Sequence, residues 1–484
     1  MASVRTSLAI SFVEKYSTLV IQFGSSLVVA RLLTPDAFGV FAIAYAIVGF
    51  AHVIREMGVN AYLVQKRELA PRHIRAALAA TCLVAWTLGL LLLASLPWIG
   101  ALYGAAVRGT TLILLLNFLI MPVSSTIFAV LQREMRFGAL LRINLSGILV
   151  NSGCAIVLSA EGWGAMGLAW ASVAGQFMMV VVAAWHHPRA EHFRPSFSGA
   201  GEVFRFGSVV MLSSLLQQLS TNVANLITAR FVSLEAMGLF DRAVSTTGLF
   251  SRLIMDAVQP LVLPVLADIR RGGRQLEPIC LQALGYLAVV TWPLFMFIAL
   301  HADAMLAVLF GRQWVEAAPL LRLVAFGGLF WIVQPIASPL FISLDRVRLT
   351  LEAQAINQAV AVLGVFLAAT QGIEAVAAAG IAISAFHAAV WLRYLRRAIH
   401  MPLREVSTAA GAAATVTLIA MALPMALALI GGDLHPIPRL LLSGAGCAAG
   451  WCLGVLLTRH PISRELTLGL SRVRLTAARR AAWR

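Results

Sequence analysis

The chain has 484 residues, of which 60% are hydrophobic and 12% charged. Globular chains carry about 25% charged residues, so there is too little polar material to coat a soluble body of this length, and the apolar residues must face lipid. The formal net charge of +16 would suit nucleic acid, but its placement along the chain points elsewhere.

A helix needs roughly 20 apolar residues to cross a bilayer core. The first apolar stretch, Leu8 to Leu33, is too long for a cleaved signal segment and contains Glu14 and Lys15, so it reads as a retained membrane helix. Fourteen segments meet the criterion: approximately 8–32, 38–64, 76–100, 109–131, 139–160, 163–185, 206–232, 237–266, 279–302, 317–343, 349–370, 374–395, 406–430 and 437–458. Their apolar runs are continuous and do not alternate every second residue, which predicts helices rather than barrel strands. The expected fold is an all-α membrane protein of about 14 transmembrane helices. Its N-terminal lobe occupies 1–185 and its C-terminal lobe 206–400, each with six helices. A cytoplasmic linker lies at 186–205, two extra helices at 401–458 and a basic cytoplasmic tail at 459–484.

Lys and Arg favour cytoplasmic loops. With the N-terminus inside, 27 of the 37 Lys and Arg residues fall in cytoplasmic segments, and only Arg108, Arg312 and Arg439 fall in outside loops. This predicts a multi-pass protein of the cytoplasmic (inner) membrane with both termini cytoplasmic. The basic loops and tail then face anionic lipid headgroups, which accounts for the charge without nucleic acid.

The chain repeats itself. Residues 30–41, ARLLTPDAFGVF, align with residues 229–240, ARFVSLEAMGLF, at an offset of 199. Leu102-Tyr103-Gly104 aligns with Leu309-Phe310-Gly311 at 207, and Pro122, Ser125, Phe128, Leu131 and Arg133 align with Pro335, Ser338, Phe341, Leu344 and Arg346 at 213. Six predicted helices separate the copies, so both halves have the same orientation. Such parallel repeats occur in secondary transporters and place a cavity between the halves.

Charges at bilayer depth cost about 2.5–3.5 kcal/mol each on insertion scales, and here they concentrate in the first two helices of each half. Lys15 and Gln22 share a face of helix 1 with Ser11, Thr18 and Ser25. Gln218, Asn222 and Asn225 share a face of helix 7. His52, Arg55 and Glu56 lie together on helix 2, and Asp241, Ser245, Arg252 and Asp256 form a stripe on helix 8. Two readings fit. In one, the ions pair with each other and serve packing alone. In the other, Lys15, Gln22, Arg55, Gln218, Asn222, Asn225 and Arg252 line a substrate cavity whose guanidinium groups grip an anion bidentately. In the second reading Glu14, Glu56, Asp241 and Asp256 are candidates for ion coupling, because buried carboxylates titrate near neutral pH. Repetition of the stripes in both halves favours the cavity.

Other signals are structural. The five cysteines sit in separate apolar stretches and read as small packing residues. His186, His187 and His192 in the linker lack the carboxylates or thiols of a metal site. Pro122 and Pro335 predict equivalent bends in the two halves. Gly446, Gly450 and Gly454 give helix 14 a close-packing face, for helix 13 or for a second subunit. No nucleotide-binding loop or catalytic constellation is present. The sequence therefore describes no enzyme and asks for no cofactor and no metal.

Several motifs carry a family resemblance: ARLLTPDAFGVF at 30–41, REMGVNAYLVQ at 55–65, LQREMRF at 131–137, GLFDRA at 238–243 and LFGRQWVEAAPLLR at 309–322. Together they resemble the Wzx-type polysaccharide flippases, exopolysaccharide and colanic-acid-like branch, of the multidrug/oligosaccharidyl-lipid/polysaccharide exporter superfamily. The likeness runs through roughly residues 5–400. It implies a two-lobed bundle working by alternating access on an undecaprenyl-diphosphate-linked oligosaccharide for exopolysaccharide or O-antigen assembly, with a polysaccharide polymerase and co-polymerase as further partners. Phe240 stands where that family often has Tyr. The alternative is a multidrug or small-cation exporter of the same superfamily, which would want a cavity richer in carboxylates and aromatics.

Overall fold

A computed structural model describes residues 4–463 apart from 57–58, 60–61, 64–65, 67–68, 187–194, 199–200, 202, 205–225, 274, 345 and 431–434. No strand occurs among the described residues. Nine of their helices, 22 to 33 residues long, are long and apolar enough to cross a membrane. The protein is a multi-pass helical membrane protein. It divides into two compact units, one of residues 1–241 with 365–373 and one of residues 242–364 with 374–484.

In the first unit α1 (Val4–Leu32), α2 (Pro35–Glu56), α3 (Pro71–Tyr103), α4 (Ala105–Arg133), α5 (Phe137–Ala160) and α6 (Gly164–His186) precede the start of α7 (Leu234–Arg271). The repeat is visible in how two of these helices begin. The Thr34 hydroxyl accepts the Ala37 N–H at 3.3 Å ahead of α2, and the Ser233 hydroxyl accepts the Ala236 N–H at 3.2 Å ahead of α7. Each cap satisfies one of the amide donors left over at a helix start, and Asp36 and Glu235 complement the dipole in the first turn. The LQREMRF motif ends α4: Met135 takes a left-handed φ of 56°, and the Arg136 N–H reaches the Leu131 carbonyl at 3.0 Å, a Schellman closure. Val40, Ile43, Leu114, Phe118 and Met237 build the core beneath these helices.

The second unit holds the remainder of α7, then α8 (Glu277–Leu300), α9 (Ala302–Leu309), a 3₁₀ turn (Arg312–Ala317), α10 (Ala318–Gly328), α11 (Gln334–Ser343), α12 (Val347–Ala369) and α13 (Ile373–Ile399) apart from residues 365–373, α14 (Leu403–Ile430) and α15 (Pro436–Leu457). The apolar segment expected as one helix over 317–343 is two, α10 and α11, separated at 329–333. The Trp292 indole N–H takes up the Leu329 carbonyl freed by this break, at 2.8 Å. Its repeat counterpart α4 runs unbroken through Pro122, whereas Pro335 opens α11. The two aligned prolines thus do different things, because an outside donor accepts the break in only one half. Further along, a Cβ on Gly450 would stand 2.9 Å from the Ala420 Cα, and one on Gly454 3.1 Å from the Val416 Cα. The glycine face of α15 is therefore spent on α14.

Candidate functional site

Helices α2 and α7 meet in the first unit with one backbone directly against the other. A Cβ on Gly39 would overlap the Leu234 carbonyl oxygen and stand 3.1 Å from the Gly238 nitrogen. One on Gly238 would overlap the Pro35 carbonyl and stand 2.9 Å from the Gly39 nitrogen. Gly39 and Gly238 are partners in the 199-residue repeat, so the contact is reciprocal, as a local twofold axis requires. The reciprocity was implicit in the alignment of the two segments; the contact itself depends on the fold.

The residues expected to line a cavity are placed as follows. Lys15 and Gln22 of α1 are exposed. Glu14 is half-buried and accepts a hydrogen bond from the Asn144 side-chain amide of α5, so its carboxylate is engaged within the first unit. Arg55 is 2% exposed at the last turn of α2, and one turn earlier His52 stacks on Phe118 with ring centroids 4.9 Å apart. Asp241 is half-buried and Arg252 is exposed, both on α7. Gln218, Asn222 and Asn225 lie outside the described residues, as do the side chains of Glu56 and Asp256.

Other arginines act in the architecture. The Arg242 guanidinium, from GLFDRA, is stacked between the rings of Phe310 and Trp314, 4.7 Å from each centroid. Those rings come from the LFGRQW motif, where Gly311 takes a φ of 107° and Trp314 is fully buried. The two motifs are therefore halves of one cation–π clamp. In the first unit, Arg133 donates to the Leu63 carbonyl at 2.8 Å and also to the Lys66 carbonyl. In the second unit Arg270 donates to the Ser343 carbonyl. Each guanidinium collects carbonyl oxygens at the terminus of a neighbouring segment, where such groups lack partners in their own helix. Sequence reasoning counted these arginines only as positive charge and missed this role; an Arg in the last turn of a helix was the available signal.

The comparisons with known proteins agree with this architecture. A family model described as "Polysaccharide biosynthesis protein" matches residues 28–319. The chain is similar to the teichuronic acid biosynthesis protein TuaB of Bacillus subtilis, 24% identical over 292 residues and 59% of each chain. It is similar to the lipopolysaccharide biosynthesis protein WzxC of Escherichia coli, 22% identical over 323 residues and 64% of each chain. A third relative is the succinoglycan biosynthesis transport protein ExoT of Rhizobium meliloti, 22% identical over 65% of this chain and 64% of that one. These matches span only 59% to 64% of the relatives' lengths. Among solved structures, the inward closed conformation of the lipid II flippase MurJ superposes with a TM-score of 0.74 at 11% identity, covering 94% of this chain and all of that one. An inward-facing multidrug resistance transporter of the MATE family, within the MOP superfamily, gives 0.61 at 17% identity over 79% of this chain. At these identities the likeness is one of fold.

Proposed function

The chain belongs to the polysaccharide biosynthesis protein family, and from that premise we propose that it is a flippase. Its cargo is an undecaprenyl-diphosphate-linked oligosaccharide, turned from the inner to the outer leaflet of the cytoplasmic membrane for exopolysaccharide or O-antigen assembly. The observation that carries this reading is that a member of this family shares its fold, over 94% of its length, with a flippase of a lipid-linked cargo.

In this mechanism the two like-oriented halves form lobes that expose a central cavity to each leaflet in turn. Lys15 and Arg252, both accessible, meet the diphosphate first, since paired oxyanions are the natural partners of ammonium and guanidinium groups. Arg55, buried at the end of α2, joins them when that helix end shifts. Gln22 and the polar faces at 218–225 receive sugar hydroxyls, and the isoprenoid tail stays in lipid. The reciprocal Gly39–Gly238 crossing lies at the ends of α2 and α7 that the excess of Lys and Arg elsewhere assigns to the outside, so it closes the outer side. Glu56, Asp241 and Asp256 take the ion-coupling role; Glu14, held by Asn144, serves packing. A polymerase and co-polymerase take up the product.

Deletion in the native host tests this reading. Lipid-linked repeat units should accumulate on the cytoplasmic leaflet, and Arg55→Ala or Arg252→Ala should restore less polymer than the wild type at equal membrane levels. Full export from both variants would remove the cation-capture step. The MATE likeness sustains a second reading, a multidrug or small-cation exporter. It predicts that deletion sensitises cells to cationic drugs and leaves polymer unchanged.

A further inference from the structure

The second unit carries a cluster of ionic and polar groups far along the chain from the residues assigned to cargo. It forms where α8 ends, α9 begins, and α10 and α15 start. His301, between α8 and α9, is 0% exposed, and its ring lies 4.8 Å from that of Phe297. Asp303 follows in the first turn of α9. Arg322 of α10 approaches one Asp303 oxygen at 3.7 Å, and Arg439, in the first turn of α15, approaches the other at 3.6 Å. Both distances exceed hydrogen-bond length, so the carboxylate holds the two guanidinium groups by charge and leaves their donors to others. Ser443 sits one turn deeper on α15 and is 0% exposed. Its neighbour Gly444 faces the Phe297 ring, with 3.9 Å between a Cβ there and the ring, which sets that turn of α15 beside His301.

Both ring nitrogens of His301, the Arg439 Nε and the Ser443 hydroxyl find no hydrogen-bond partner among the described residues. A buried polar group left so destabilises the fold, and these three residues come from the turns where α8, α9 and α15 meet, so a ligand there would supply the partners they lack. The charge gives the ligand's sign. Two guanidinium groups face one carboxylate, a formal +1, while Arg312 and Glu316, exposed on the adjoining 3₁₀ turn, add one charge of each sign. The surroundings give its kind. Asp303 and Arg322 open to water, with side chains 37% and 47% exposed. On the same end of α15, Ile437, Leu441 and Leu442 are exposed apolar residues suited to acyl chains. A site wet on one side and greasy on the other lies at the depth of lipid phosphates.

We propose that His301, Arg322, Arg439 and Ser443 form a binding site for the phosphodiester of an anionic phospholipid headgroup, distinct from the cargo route. The Arg439 Nε–H, a His301 ring N–H and the Ser443 O–H donate to the phosphate oxygens, Arg322 adds charge at the mouth, and Asp303 orients both arginines.

Native mass spectrometry of the purified full chain in an equal mixture of phosphatidylglycerol and phosphatidylethanolamine tests the site. The wild type should retain phosphatidylglycerol in preference by about tenfold, the scale of a charge-assisted hydrogen bond. Arg439→Gln, which removes one positive charge, should bring that preference near unity, and Ser443→Ala, which removes a donor to the phosphate both lipids share, should lower retention of each several-fold, while thermal unfolding remains cooperative. An unchanged preference in Arg439→Gln, unchanged retention in Ser443→Ala, or no preference in the wild type would overturn the proposal. So would complete displacement of the bound lipid by millimolar inorganic phosphate, which would assign the site to a free anion. None of these readouts involves cargo, so they stand apart from the flippase reading.

Discussion

The Gly39–Gly238 crossing supports a quantitative prediction. Replacing either glycine by alanine puts a methyl group where the partner helix's carbonyl already lies. The nearest atoms beyond that carbonyl oxygen would be at 2.7–3.1 Å, against about 3.5–4.0 Å for relaxed contacts. To clear the overlapped carbonyl oxygen the backbones must part by roughly 1.5 Å, which puts the cost at the upper end of the usual overpacking range of about 1–3 kcal/mol. Because the contact is reciprocal, one methyl group creates most of the space the second would need. Gly39→Ala and Gly238→Ala should each lower thermal stability in detergent, and the double variant should lose clearly less than the sum, with a coupling of about 1 kcal/mol or more. Nanodisc samples should also show greater labelling of a cysteine at Gln22 from the outside in either variant, if the crossing closes that side. Additive losses would refute the shared contact. Coupled losses with unchanged labelling would leave the contact and refute its role as a seal.

Three other outcomes follow from the geometry. Arg242→Ala removes the cation between Phe310 and Trp314 and should destabilise by about 2 kcal/mol or more, with Arg242→Lys intermediate, as read by thermal unfolding. Gly450→Leu drives a side chain into the α14 backbone, where a Cβ already comes within 2.8 Å of the Ile419 carbonyl oxygen. It should abolish the folded yield in detergent, whereas Gly444→Ala, with only an ordinary contact to Phe297, should be tolerated. His460, beyond the end of α15, is 4% exposed, and burial lowers its pKa below 6.5. The unfolded chain then binds the proton more readily. Stability should be flat above pH 6.5 and fall as pH drops below it, by at most about 1.4 kcal/mol per unit, and His460→Phe should flatten the profile in a pH series of unfolding measurements.

Most of the membrane helices were legible because hydropathy is a local property. The expected segments at 76–100, 109–131 and 139–160 lie inside α3, α4 and α5, which extend a few residues further where polar ends leave the apolar core. The break at 329–333 was not legible. Pro335 marks a weak point, but Pro122 marks the same one in α4, and the difference lies in the Trp292 indole that waits for the Leu329 carbonyl. Nor could hydropathy separate α9 and the 3₁₀ turn from a plain loop, since their structure rests on the buried Trp314 and the stacked Arg242. At the site, the sequence put Lys15 and Gln22 on one face of α1, and both side chains are exposed. The engagement of Glu14 by Asn144 was hidden, because the two residues are 130 positions apart and only the packing of α1 on α5 unites them.

The flippase reading meets its most direct test in right-side-out membrane vesicles from the native host, loaded with lipid-linked oligosaccharide by the inner-leaflet glycosyltransferases. Outer-leaflet oligosaccharide would be counted by a membrane-impermeant glycosidase or lectin. The account predicts an accessible pool that appears with the wild-type protein, falls to background without it and falls sharply with Arg252→Ala. An accessible pool of the same size and rate in vesicles lacking the protein, with no other transporter of the class present, would contradict it.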